Sequence, residues 1–167
     1  MRRIARTSMA AVIAVSGSAI AVAGAGGASA ETGAGAPAVI PFTQTLRRCD
    51  FSKFAYTGGG YYGRPNAFMR IEGGDVVADI QFATGVPNTA YDVRLIQLPR
   101  SSARTCNPGD PGVWVATLFT DAAGGGAVTV RGPVDPEATG AWVSMTRPGQ
   151  FTQKPEEFYT SDFVFDY

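Results

Sequence analysis

The chain has 167 residues, 45% hydrophobic and 17% charged, with 14 basic residues against 14 acidic ones and no histidine. That balance fits a single globular domain and excludes disordered, collagen-like and polytopic membrane chains. The missing histidine excludes Ser–His and Cys–His nucleophile pairs, HExxH zinc peptidases and histidine-ligated metals.

Residues 1–30 have the layout of an export signal. Arg2, Arg3 and Arg6 form a basic start, Met9 to Ala25 is an Ala/Val/Ile run, and Ala28-Ser29-Ala30 supplies the small-x-small pattern of a cleavage site. A membrane anchor would need about 18–20 continuously apolar residues, and Ser16, Gly17 and Ser18 interrupt this run. Cleavage after Ala30 is expected, by the general route rather than the twin-arginine one. The remaining 137 residues then hold 11 bases against 14 acids, a net charge of −3, with only Lys53 and Lys154 as lysines. Such a surface binds polyanions poorly, so nucleic acid and anionic membrane are not expected partners. No later segment is apolar enough to span a bilayer after cleavage, and the expected location is extracellular.

Two cysteines in an exported chain predict one disulfide, Cys49–Cys106. No CxxC spacing or other soft ligand supports a redox or metal role.

In chain order, residues 31–45 are rich in Gly, Ala and Pro and read as a flexible lead-in or a first edge strand. The domain proper is expected over 46–167. Within it no stretch keeps helical apolar spacing, whereas strand signals are frequent. Ala67–Glu72 and Val76–Phe82 flank Gly73-Gly74, a pair suited to a tight hairpin with positive φ. Val76, Ala78, Ile80 and Phe82 share one face of the second arm, opposite Asp79 and Gln81. Tyr91–Leu98 alternates in the same way and stops at Pro99. Val113–Phe119, apolar on both faces, reads as a covered central strand, with Ala127–Arg131 as its hairpin partner across a Gly-rich loop. Ala141–Thr146 follows, and Phe158–Tyr167 closes the chain with Tyr159, Phe163, Phe165 and Tyr167 on one face. Trp114 and Trp142 fall within strand patterns and read as core. Seven to nine short strands predict an all-β, antiparallel two-sheet sandwich of immunoglobulin-like type, with a closed barrel as the alternative.

No catalytic set emerges, and the chain is expected not to be an enzyme. None of Ser52, Ser101, Ser102, Ser144 and Ser161 sits in GxSxG or SxxK, and the adjacent Lys53 points away from Ser52 in a strand. The acid pairs Glu156-Glu157, Asp75 with Asp79, and Asp162 with Asp166 are the only basis for a carboxylate hydrolase. In one strand the last pair would lie about 13 Å apart, too far for a retaining mechanism. Asn107-Pro108-Gly109-Asp110 and Asp121 carry loop oxygens, but turn chemistry explains them without calcium. No metal and no cofactor are expected. The most suggestive segment runs from Tyr56 to Asn66, where glycines lend backbone freedom and Tyr61, Tyr62 and Arg64 supply flat apolar faces and donors for a ligand. The alternative is that Tyr61 and Tyr62 cap the core.

Thr89-Ala90-Tyr91-Asp92-Val93 resembles a strand opening, and Thr120 to Val130 a hairpin, of exported bacterial immunoglobulin-like sandwiches. With the arginine-rich, lysine-poor composition, they resemble those of actinobacteria. Together with Cys106-Asn107-Pro108 they also resemble the neocarzinostatin-type apoproteins, which carry an apolar chromophore in a sandwich cleft. That family has two disulfides where this chain has one, and no binding residue is carried over. The expected function is non-enzymatic binding of a protein or envelope-glycan partner. A carbohydrate- or small-apolar-ligand module is the second reading, and a carboxylate hydrolase the third.

Overall fold

The computed structural model describes residues 36–57, 60–149 and 154–167. The expected export signal, residues 1–30, and its expected cleavage site lie outside them. Eleven strands make up the described chain: β1 (Ala38–Thr43), β2 (Thr45–Arg47), β3 (Lys53–Thr57), β4 (Arg64–Glu72), β5 (Asp75–Ala83), β6 (Ala90–Leu98), β7 (Val113–Phe119), β8 (Gly126–Pro133), β9 (Gly140–Arg147), β10 (Glu157–Ser161) and β11 (Phe165–Asp166). No described helix is long and apolar enough to cross a membrane.

Eight strands follow one antiparallel path, β7-β6-β9-β10-β1-β4-β5-β8, and β11 pairs with β9 off that path as the ninth strand of the sheet. The path folds into two layers because β1 belongs to both. Val39 and Ile40 pair with Phe68 and Ala67 of β4, whereas Phe42 and Thr43 pair with Ser161 and Thr160 of β10. At the far ends, β7 and β8 pack together through Trp114, which lies against Gly132. The result is a flattened, nearly closed barrel, so the expected sandwich and its barrel alternative describe the same object. The expected count of seven to nine strands omitted the β2–β3 ribbon and β11.

The interior forms by simple alternation. Ala67, Met69, Ile80 and Phe82 from one layer meet Tyr91, Val93, Leu95, Val143, Met145 and Tyr159 from the other, all essentially inaccessible to water. The β4–β5 hairpin turns at Gly73 and Gly74, with φ of 61° and 89°, the primed-turn geometry that matches strand twist. On the outer surface of that layer, Arg70 binds Glu72 and Asp79 while Arg131 binds Asp75. Asp79 also accepts from the Thr129 hydroxyl at 2.6 Å. These cross-strand pairs run over Val77, which is buried although its side chain faces outward.

Four expectations need correction. The segment expected as a lead-in or edge strand contains β1, paired on both sides with Ile40 in the core. β7 is an outer strand rather than a covered central one, and its Val115 and Phe119 face solvent. β8 pairs with β5, not with β7. The reason is that two crossovers, 84–89 and 120–125, zip together where the chain changes layer. Gly85 N–H donates to the Gly124 carbonyl (2.9 Å), Asn88 N–H to that of Asp121 (3.1 Å) and Thr120 N–H to that of Thr89 (3.0 Å). Gly124 sits at φ 79°, and a Cβ there would lie 2.2 Å from the Gly85 oxygen. Finally, the last strand is broken. The Val143 N–H bonds to the Ser161 hydroxyl (2.8 Å) and the Asp162 N–H to the Pro41 carbonyl (2.9 Å). The chain therefore swings towards β1 before resuming as β11, which leaves Phe163 exposed and off the shared face.

The β2–β3 ribbon lies across the outer surface of the β6–β9–β10 layer. Thr160 donates its hydroxyl to the Thr45 carbonyl (2.7 Å), and Phe51 meets Trp142 edge-on with ring centroids 5.5 Å apart. Ile96, Val113 and Trp142 form a second small core there, packed against Phe51, Leu98 and Cys106. The Cys49–Cys106 disulfide bolts the ribbon turn to the β6–β7 loop, spanning 57 residues with Cα atoms 5.6 Å apart. Closing a loop of that length removes about 4 kcal/mol of chain entropy from the unfolded state. Such a bond belongs to an oxidising compartment.

The Trp114–Gly132 contact gives a direct test of the closure. A Cβ on Gly132 would fall 1.9 Å from the indole Cε2. Gly132→Ala should therefore lower the stability measured by urea unfolding by about 2–3 kcal/mol as the ring is displaced.

Candidate functional site

The structure separates the three residues singled out from the Gly-rich segment. Tyr61 is half-buried, its ring edge-on to Phe158 (5.6 Å) and Tyr159 (6.1 Å). The Gln44 side chain holds its backbone from both sides, donating to the Tyr61 carbonyl at 2.6 Å and accepting from its N–H at 3.3 Å. Tyr61 thus caps the core. Tyr62 points the other way and is 80% exposed. Its carbonyl accepts from the Thr84 hydroxyl (2.6 Å) and from Arg64 Nη1 (2.9 Å). Gly63 is buried against Tyr159 and Phe82, and an added Cβ would lie 2.3 Å from the Tyr159 oxygen. The backbone from Tyr61 to Arg64 is therefore held, not loose. Arg64, Gln44, Asn66, Phe42 and Tyr159 line a shallow depression of about 420 Å³ beside it. Gly58 and Gly59 lie outside the described residues.

Two of the three acid pairs, Glu156-Glu157 and Asp75 with Asp79, are engaged by structural partners. Glu157 is buried and accepts from Tyr159 (2.5 Å), Tyr91 (2.9 Å) and Arg147 Nε (3.0 Å). Glu156 is on the surface and pairs with the same arginine. Asp75 and Asp79 belong to the outer ion pairs of β4, β5 and β8, and hydrogen bonds from the Thr129 hydroxyl and from Arg70 hold the Asp79 carboxyl below its usual range. Asp121 accepts from the N–H groups of Ala123 (2.8 Å) and Gly125 (2.9 Å) in its own turn. Asp110 binds Thr105 and the Asn107 N–H, which lowers its pKa. Ser52 donates to Asp50 at 2.6 Å in a local turn.

A second concavity escaped the sequence reading because its walls come from distant strands. It is a cleft of about 330 Å³ between the ribbon and the outer surface of β6 and β9. Leu46 and Arg47 of β2 form one wall. Asp92, Arg94, Trp142, Ser144 and Thr146 form the floor, and Lys154 with the prolines 148 and 155 forms the rim. Arg47 stacks on Phe51, its guanidinium carbon 3.9 Å from the ring centre, and spends its two terminal nitrogens on the carbonyls of Phe51 and Asp162. Burial lowers its pKa, with Asp162 opposing the shift. Arg94 binds Asp92 (3.0 Å) and the Cys106 carbonyl (2.9 Å).

Among the described residues, four buried side-chain polar atoms have no hydrogen-bond partner, and two of them, Arg47 Nε and Trp142 Nε1, are on residues that line this cleft. A buried donor left unmet costs about 1–3 kcal/mol, and both atoms are closed off from solvent by the groups packed around them. The only hint in the sequence was Arg47-Arg48 beside Cys49, with Phe51 two positions on.

The tyrosines around Glu157 predict a pH dependence. Burial first, and then the Glu157 carboxylate, raise Tyr91 to about 12; burial raises Tyr167 to about 12, and Tyr159 is pushed up further. The unfolded chain releases these protons near pH 10, so between pH 10 and 12 the folded state holds more protons than the unfolded one. Stability is then fully present below pH 10 and falls as pH rises to 12. The urea midpoint should stay level from pH 8 to 9.5 and drop by pH 11.5.

No protein-family model, no curated protein and no solved structure matches this chain.

Proposed function

We propose that this chain is an exported, non-enzymatic binding protein that captures a protein or envelope-glycan partner through Tyr62 and Arg64. One observation carries the reading: an 80% exposed tyrosine ring stands on backbone pinned by Gln44, Thr84 and a buried glycine. A ring presented on a fixed backbone loses little entropy on binding, which is how aromatic anchors contribute at interfaces and sugar platforms. The depression beside it, lined by Arg64, Gln44 and Asn66, offers hydrogen-bonding groups next to the ring. The disulfide fits a secreted location, and the signal-like residues 1–30 support the same destination.

Tyr62→Ala removes a ring that is 80% exposed and whose hydroxyl makes no hydrogen bond among the described residues. Captured from envelope material on immobilised protein, the partner should bind the variant at least about tenfold more weakly, with the melting temperature unchanged. Arg64→Ala should act in the same direction, whereas Tyr61→Ala should lower stability. Equal capture by wild type and Tyr62→Ala would overturn this assignment.

A further inference from the structure

β7 uses only one side of its backbone. Its ladder with β6 runs from Ala90↔Phe119 to Ile96↔Val113. On that register the Thr120 N–H donates to the Thr89 carbonyl (3.0 Å) and the Gln97 N–H to that of Gly112 (2.9 Å). The even-numbered residues from 112 to 120 therefore bond to β6. In an antiparallel ladder the odd-numbered ones then turn their N–H and C=O groups away. Among the described residues no strand pairs with β7 on that second side, because β8 bonds to β5. We infer that this edge joins a second copy of the chain, β7 against β7 in antiparallel register, giving a two-fold symmetric dimer with one continuous sheet.

Three observations select this strand and this partner. The strand is undefended: Val113–Phe119 holds no charge, proline or glycine, and Val115 and Phe119 are 44% and 70% exposed. Native edges are blunted by such residues, as β8 is by Arg131 and by Pro133, which has no N–H. The strand also complements itself about Ala116. Val115 then exchanges both backbone bonds with Thr117 of the second copy, and Thr117 with its Val115. Val113 already gives its N–H to Asp110 (3.1 Å), and the Phe119 carbonyl lies against Gly126, 2.7 Å from where a Cβ would stand. In this register those two engaged groups face each other, while the Phe119 N–H meets the Val113 carbonyl. Ala116 faces its own copy at the centre, where Cα atoms approach to about 4.5 Å and a small side chain fits. Finally, the flanking charges match. Arg94 stands beside Val115 and Asp92 beside Thr117, paired with each other at 3.0 Å. Each row of the joined sheet thus runs from Arg94 of one copy to Asp92 of the other, and none opposes like charges. The seam covers the Val115 and Phe119 side chains that a single chain leaves in water.

Sedimentation equilibrium of the disulfide-intact protein, from about 1 μM to about 1 mM, should show a reversible monomer–dimer equilibrium. Thr117→Pro removes an N–H that faces the edge and none that bonds to β6. Val115→Lys puts a charge on the seam without touching the core, and decides the matter should the proline variant not fold. Each should weaken the dimer at least about tenfold, and Val115→Lys should leave the melting temperature in dilute solution unchanged. Amide hydrogen exchange locates the contact. Val115 and Thr117 should exchange at least about tenfold more slowly in concentrated than in dilute protein, while Ala116, bonded to β6, stays protected in both. Tyr62→Ala should leave the equilibrium unchanged, which separates this edge from the proposed partner surface. A protein that stays monomeric to about 1 mM, even one whose edge accepts a strand from a different protein, would overturn the inference. So would a dimer that persists in Val115→Lys or that leaves the Val115 and Thr117 amides unprotected.

Discussion

The Cys49–Cys106 bond decides what the outer surface of this protein is. Without it, β2 and β3 are a two-stranded ribbon of eight residues, too small to be stable by itself. Bolted to the β6–β7 loop, the ribbon lays Phe51 on Trp142 and completes a core that Ile96 and Val113 cannot close alone. The same clamp puts Arg47 over Phe51 and raises the wall of the cleft. One covalent link thus converts a solvent-facing sheet surface into a shaped site. The barrel beneath it does not need that link, because its layers are joined by β1, by the paired crossovers and by the buried interior.

The other end of the barrel is organised around a buried charge. Glu157 receives bonds from three elements, Tyr91 on β6, Arg147 on β9 and Tyr159 on its own strand. A buried carboxylate is costly unless it is paired and fully hydrogen-bonded, and here both oxygens are engaged. The Val86 N–H donates in turn to the Tyr91 hydroxyl (3.0 Å), which ties the crossover after β5 into the same network. Tyr159 then forces Gly63 to be a glycine, and that close approach fixes the backbone on which Tyr62 is displayed. The exposed ring and the buried acid are therefore two ends of one chain of contacts.

The parts legible in the sequence are those decided locally. Gly73-Gly74 between two alternating runs names a hairpin, and the alternation of Val76 to Phe82 and Tyr91 to Leu95 names their inner faces. Two cysteines in a chain with an export-like start name their own partner. What could not be read was decided at a distance. Tyr61 and Tyr62 are identical neighbours, and only Gln44 and Phe158, elsewhere in the chain, make one a cap and the other a display. β7 and β8 read as a hairpin because their loop is short and Gly-rich, but the bonds from 85–89 turn that loop into a crossover. The Pro- and Ala-rich composition around β1 hid Ile40, and the cleft draws on β2, β6 and β9 with no shared motif.

If the ribbon is a separately fastened strap that builds the cleft, breaking its bolt should free the strap alone. Amide and indole hydrogen exchange, followed with and without a thiol reductant, tests this most directly. Reduction should accelerate exchange at the Trp142 indole and in β2 and β3 by about tenfold or more, while β4, β5 and β6 keep their protection. Equal acceleration across all strands would show that the disulfide holds the barrel itself, and no acceleration anywhere would show that the ribbon stands without it. Either result would contradict the account given for the cleft.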